Sequence, residues 1–132
     1  MITLDTSAVI AMFARRDPDH RRVSAALRSE RSPYLLPAAT LGEVAHFVES
    51  SRHRGALDAL LADLEQGSIS LDCGEEDLPR VRELVGRYAD LPLGLVDAAV
   101  IACAERNGGR VLTLDLRHFG VGAREGALTV LP

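Results

Sequence analysis

Short apolar segments that alternate with longer helix-like segments are the feature of this sequence that most constrains its fold. Residues 2–4, 34–36, 69–71, 111–114 and 128–131 are rich in aliphatic or β-branched side chains and have the length of buried strands. Parallel strands need helical crossovers between them, which the intervening segments can supply. The sequence therefore predicts a three-layer α/β/α sandwich built on a mainly parallel sheet.

The intervening segments carry apolar residues at helical spacing. A capping box over residues 40–43, with Thr40 as the cap and Glu43 as its reciprocal partner, predicts the start of one helix at Leu41. Acidic residues at 75–77 suit the beginning of another helix. The predicted helices cover residues 7–14, a segment starting at Asp17-Pro18, and residues 41–50, 55–64, 75–88 and 95–106.

Length and composition indicate one soluble globular domain spanning residues 1–132. Of the 132 residues, 47% are hydrophobic and 26% are charged. Neither residues 1–14 nor the apolar run at 98–104 has the pattern of a signal peptide or a membrane span, so we expect a cytoplasmic protein without a membrane partner. Cys73 and Cys103 form no metal-binding or redox motif and are expected to be free thiols.

Charge excludes several classes of function. The net charge is −4, which argues against nucleic-acid binding by overall charge, although arginines cluster at 15–22 and 52–54. All 15 basic residues are arginine. A P-loop nucleotide-binding protein and a receiver-type phosphoacceptor both need a lysine, and a serine hydrolase needs a nucleophile elbow, which is missing. Glu43 and His46 mimic half of a di-iron helix motif, but no second copy follows.

Four acidic residues are candidates for a shared site: the predicted sheet would bring Asp5, Glu43 and Asp115 near one edge, whereas the helix that carries Asp97 precedes a strand and need not begin there. Asp5 and Asp115 each follow a predicted strand, and binding crevices of parallel sheets lie at the carboxyl ends of their strands. Glu43 is near the start of the helix that follows the strand at 34–36. Asp97 lies in the first turn of an apolar helix, where an ionised carboxylate needs a partner.

Gathered carboxylates repel one another unless a cation is present, and Mg²⁺ or Mn²⁺ is the cation that such oxygen donors prefer. Each acid also has a purely structural explanation. Asp5 suits a helix cap, Glu43 the capping box, Asp97 a helix N-terminus and Asp115 a turn. The sequence alone leaves both explanations open for each residue.

The pattern of these segments resembles the PIN domain family and, within it, the VapC-type toxin ribonucleases of bacterial toxin–antitoxin pairs. The resemblance rests on order and spacing over the whole chain. It is carried by residues 4–8, 43–44, 91–98, 101–102 and 112–115 and by Phe119.

The resemblance implies a divalent-metal-dependent endoribonuclease. Asp5, Glu43, Asp97 and Asp115 would be its catalytic and metal-binding acids, with Ser7 and Thr113 as supporting hydroxyls and Asp90 more simply a turn residue. It also implies Mg²⁺ or Mn²⁺ as cofactor, RNA as substrate, a VapB-type antitoxin whose tail covers the site, and a homodimer. The alternative is a PIN-like module that has lost cleavage and acts by binding an antitoxin-type partner or by dimerising.

Overall fold

A five-stranded sheet organises the chain. The structure is a computed structural model that describes residues 1–30, 33–50, 53–88, 90, 93–124 and 128–132. The strands are β1 (Ile2–Leu4), β2 (Tyr34–Pro37), β3 (Ile69–Asp72), β4 (Arg110–Leu112) and β5 (Thr129–Leu131), in the spatial order β3-β2-β1-β4-β5. Every adjacent pair is parallel, as the alternation of strands and helices predicted.

Seven α-helices and a short 3₁₀ turn at Glu75–Asp77 connect these strands within the described ranges. The helices are α1 (Thr6–Phe13), α2 (His20–Ser29), α3 (Ala38–Glu49), α4 (Arg54–Gln66), α5 (Leu78–Arg87), α6 (Leu95–Arg106) and α7 (Leu116–Arg124). No helix of the described residues has the length and apolarity needed to cross a bilayer.

Apolar side chains are buried on both faces of the sheet. On β4, Leu112 joins a cluster with α1, α2, α3 and α4, whereas the preceding Val111 joins a second cluster with α5, α6 and α7. Successive strand residues point to opposite faces, so the two clusters lie on either side of the sheet. This confirms the predicted α/β/α class.

The predicted start of α3 is wrong. The helix begins at Ala38, directly after Pro37 ends β2, and Thr40 is its third residue. Thr40 is fully buried, and its hydroxyl has no hydrogen-bond partner among the described residues, so it does not cap the helix. The fixed φ of Pro37 suits a residue just before a first helical turn, and the chain passes from strand to helix without a loop.

An ion-pair network joins α6 to the segment after β3. The Arg106 guanidinium donates to the carboxylates of Asp72 and Asp77 at 2.8–3.0 Å. Asp77 is only 7% exposed, so its charge depends on this partner. The acids at 75–77 were predicted to suit the start of a helix, and Asp77 in addition pairs with Arg106, which also binds Asp72 at the carboxyl end of β3.

Candidate metal centre

Asp5 lies at the carboxyl end of the central strand and is almost completely buried, with 4% exposed. Its Oδ2 accepts hydrogen bonds from Ser7 Oγ at 2.9 Å and from Thr113 Oγ1 at 2.7 Å. Burial raises the pKa of this carboxyl group, and the hydrogen bonds from Thr113 and Ser7 oppose the increase. Asp5 is thus a buried acid fixed in one orientation by neighbouring hydroxyl groups.

The same two hydroxyl groups connect the carboxyl ends of β1 and β4. Ser7 Oγ lies 3.2 Å from Thr113 Oγ1 and accepts a hydrogen bond from the backbone N–H of Leu114 at 2.9 Å. Thr113 Oγ1 accepts one from the backbone N–H of Asp115 at 3.0 Å. These bonds hold the segment that carries Asp115 in a fixed position relative to Asp5.

Asp97 reaches this edge because of the direction of its helix. Only residues 107–109 separate the end of α6 from β4, so α6 must finish where β4 begins. A 12-residue helix is about 18 Å long and therefore starts at the opposite, carboxyl edge of the sheet. Asp97 is the third residue of α6, and its side chain is 22% exposed.

The electrostatic surroundings of Asp97 disfavour its charge. Burial, followed by repulsion from Asp5 and Asp115, raises its pKa from 3.8 to about 6, and attraction to His118 opposes the increase. Asp5 and Asp115 are therefore close enough to Asp97 for their charges to be felt.

Asp115 connects β4 to α7 and uses both carboxylate oxygens. Oδ1 accepts the backbone N–H of His118 at 3.3 Å, which caps the helix, and Oδ2 lies 2.6 Å from Nδ1 of the His118 ring. Nδ1 also lies 3.7 Å from Oδ2 of Asp97. The pKa of His118 is raised, mainly because its ring N–H donates a hydrogen bond to the Asp115 carboxylate. A histidine therefore lies between two of the predicted acids.

These side chains have the composition of a divalent-cation site. Ligand atoms of Asp97, Asp115 and His118 all lie within 4.8 Å of one another, a spacing that one ion can span. Two carboxylates with one imidazole form a donor set suited to a divalent cation such as Mn²⁺. Burial, and after it repulsion from Asp5 and Asp115, raises the pKa of Asp97, and a bound cation would counter both effects by stabilising its charge. The residues present therefore fit a divalent metal.

Glu43 and Asp90 lie differently from the other acids. Glu43 is the sixth residue of α3 and is exposed, and neither Glu43 nor Asp5 belongs to the group of three residues whose ligand atoms lie within 4.8 Å of one another in the described part of the chain. Asp90 is an exposed turn residue whose neighbours Ala89, Leu91 and Pro92 lie outside the described part of the chain. The role predicted for Glu43 remains a prediction.

Sequence reasoning overlooked His118. The signal was present in the spacing, since Asp115 and His118 are three residues apart and α7 begins between them. Residues at positions i and i+3 of a helical turn are neighbours. No helix was predicted over residues 116–124, so this neighbourhood was not recognised.

Comparison with known proteins agrees with the predicted family. The chain matches the PIN domain family over residues 2–123. It is 33% identical to Ribonuclease VapC26 of Mycobacterium tuberculosis over 98% of both chains. Among solved structures, VapC20 of the same organism, described as a toxin that cleaves the sarcin-ricin loop, superposes with a TM-score of 0.81 at 18% identity, covering 92% of this chain and 95% of that one.

FitAcB of Neisseria gonorrhoeae superposes with a TM-score of 0.65 at 22% identity, covering 100% of this chain and 97% of that one. At such identities the structural likeness establishes the fold. The family is established by the sequence matches, which extend over nearly the whole chain. The chain therefore belongs to the PIN domain family, and its similarity to VapC-type ribonucleases runs from one end to the other.

Proposed function

We propose that this protein is a divalent-metal-dependent endoribonuclease and the toxin of a toxin–antitoxin pair. The observation that carries the proposal is the cluster of Asp97, Asp115 and His118, whose ligand atoms lie within 4.8 Å of one another at the edge of the sheet that also carries Asp5, in a chain of the PIN family. The names of VapC26, a ribonuclease, and VapC20, a toxin that cleaves RNA at the sarcin-ricin loop, support the same reaction class for this chain.

Asp5, Asp97 and Asp115 are proposed to hold Mg²⁺ or Mn²⁺, with Glu43 completing the catalytic set from α3. When bound, such a cation polarises the scissile phosphate and makes a water molecule more acidic. Ser7 and Thr113 keep Oδ2 of Asp5 in place through hydrogen bonds of 2.9 and 2.7 Å, so the carboxylate does not have to reorganise when substrate arrives. A carboxylate left without a metal bond, Glu43 among the candidates, would take the proton of the attacking water.

The acidic site by itself repels RNA, so arginines around it are proposed to bind phosphate groups. Arg117 is exposed and lies between Asp115 and His118 in sequence, and its charge lowers the pKa of His118. Arg15 and Arg16 follow the end of α1 that is distant from Asp5; they are exposed beside an open depression that His53 also lines, and would contact RNA farther from the acids. Of the second arginine cluster, Arg52 lies outside the described residues.

A VapB-type antitoxin is proposed as one protein partner, with an arginine of its tail entering the carboxylate site.

A second copy of the chain is proposed as another protein partner, forming a homodimer. Leu78 and Leu95 are 59% and 64% exposed and line one apolar cavity of about 180 Å³ together with Val81 and Ala99. Sedimentation of the purified protein should give the mass of a dimer, and Leu78→Asp should shift it towards the monomer. Both free cysteines suit a cytoplasmic location.

The test is cleavage of a pool of structured RNAs by purified protein with Mn²⁺, with and without EDTA. Asp5→Asn should abolish cleavage because the amide cannot supply the charge that holds the cation, while Asp58→Asn, an exposed change on α4, should cut at the parental rate. Cleavage by Asp5→Asn at that rate would refute the proposal. Metal binding by the parental chain without hydrolysis of any RNA would favour the non-catalytic module.

A further inference from the structure

His118 directs one ring nitrogen into the acidic site. Nδ1 lies 2.6 Å from Oδ2 of Asp115 and 3.7 Å from Oδ2 of Asp97. The other ring nitrogen, Nε2, is buried and has no hydrogen-bond partner among the described residues. In the described part of the chain, Nδ1 therefore makes every polar contact of the ring, and both contacts are with acids of the proposed metal centre.

Helix capping does not explain this placement of the ring. The first turn of α7 is capped through the backbone N–H of His118, which donates to Oδ1 of Asp115 at 3.3 Å and does not involve the imidazole. Neither His20 nor His46 contacts the acids of this site. His20 contacts the backbone carbonyl of Ala11 at 2.8 Å through its Nδ1, and His46 is exposed on α3.

We propose that Nδ1 of His118 is a direct ligand of the divalent cation, beside Asp97 and Asp115, and that this nitrogen favours Mn²⁺ over Mg²⁺. The inference rests on the proposed metal centre. Adjacent ligands of an octahedral ion with bonds of about 2.1 Å lie about 3.0 Å apart and opposite ligands about 4.2 Å apart, so the 3.7 Å between Nδ1 and Asp97 Oδ2 must change by less than about 1 Å. The contact with Asp115 is shorter and must lengthen by a few tenths of an ångström.

The choice of metal follows from the chemistry of the donors. Mg²⁺ is a hard cation that binds carboxylates and water, whereas imidazole nitrogen suits transition metals such as Mn²⁺ better. A site built only from carboxylates would discriminate weakly between the two ions. Replacing one oxygen donor by the His118 nitrogen should move the preference towards Mn²⁺.

Binding of Mn²⁺ and of Mg²⁺ to metal-stripped protein, measured by calorimetry, tests the proposal. His118→Asn retains a side-chain N–H that can donate to Asp115 but removes the imidazole ligand. We expect this variant to lose at least about tenfold in Mn²⁺ affinity and less than about threefold in Mg²⁺ affinity. The matched control is His46→Asn, which should leave both affinities unchanged. Circular dichroism and urea unfolding establish that each variant is folded.

Pulsed electron paramagnetic resonance of the Mn²⁺-loaded protein detects a coordinating nitrogen directly and requires no activity. The parental chain and His46→Asn should show ¹⁴N modulation, and His118→Asn should not. Mn²⁺ bound without ¹⁴N modulation, or equal losses of both affinities in His118→Asn, would overturn the inference and leave His118 as a residue that positions Asp115. Failure of the parental chain to bind either metal would overturn this inference together with the proposed metal centre.

Discussion

Replacing Asp97 by Asn should make the metal-free protein more stable. The pKa of Asp97 is raised from 3.8 to about 6, mainly by burial, so its ionised form is disfavoured in the folded state. At about 1.4 kcal/mol per pKa unit, this difference amounts to about 3 kcal/mol of lost stability above pH 6. Solvent screening at this partly exposed side chain reduces the expected gain to about 1–3 kcal/mol.

The dependence on pH gives the sign of the effect. Between about pH 4 and pH 6 the folded protein binds more protons at Asp97 than the unfolded chain does, so stability falls as pH rises through this window. Below this window Asp97 is protonated in both states and Asp97→Asn should gain little. Asp5, whose pKa is also raised, contributes with the same sign and remains in the variant.

The assay is urea unfolding at pH 7.5 and at pH 4 with EDTA, at constant protein concentration because a dimer's stability depends on it. Asp58→Asn is the matched control and should change the free energy of unfolding by less than about 0.5 kcal/mol. Saturating Mn²⁺, at about 100 times its Kd, should stabilise the parental chain by about 2.7 kcal/mol and the variant much less. An Asp97→Asn protein that is less stable than the parental chain at pH 7.5 without metal would refute this reasoning.

Three further predictions follow from the same contacts. Mn²⁺ affinity measured by calorimetry should fall by about tenfold or more per pH unit well below pH 6, because the cation must displace the proton of Asp97 and, if His118 is a ligand, that of the imidazole as well; a flat profile would contradict the placement of Asp97 at the cation. Thr113→Val removes the 2.7 Å hydrogen bond to buried Asp5, so the free energy of unfolding in urea should fall by about 1–3 kcal/mol and calorimetry should show weaker Mn²⁺ binding. The exposed control Thr129→Val should change neither quantity. Arg106→Met leaves the buried Asp77 carboxylate without this partner and should lower the free energy of unfolding in urea by about 1–3 kcal/mol without changing Mn²⁺ affinity. The control Arg87→Met breaks an exposed ion pair with Glu83 and should lower it by less than about 1 kcal/mol.

Strand and helix periodicity predicted the architecture because hydrophobic pattern largely determines which elements form and how they pack. Residues 95–106 were predicted as a helix, and α6 has the same bounds. The carboxyl-edge position of Asp5 followed from a parallel sheet alone. The position of Asp97 could also have been predicted, since a helix that feeds a parallel strand begins at the carboxyl edge.

The start of α3 and the presence of α7 depend on tertiary packing and could not be predicted from local sequence patterns. Residues 40–43 match a capping box, yet the helix starts at Ala38 because Pro37 ends the strand there and Thr40 is buried. Gly120 and Gly122 lower the helix propensity of α7, but Phe119 is fully buried and stabilises the helix against the core. The place of His118 in the site depends on this helix, so local propensity could not reveal it.

The most direct test of the central claim is anomalous diffraction from crystals soaked with Mn²⁺. We expect an anomalous peak coordinated by carboxylate oxygens of Asp97 and Asp115, within direct or water-mediated reach of Asp5. An ordered Mn²⁺ bound elsewhere, with these three carboxylates making no direct or water-bridged contact to any ion, would contradict it.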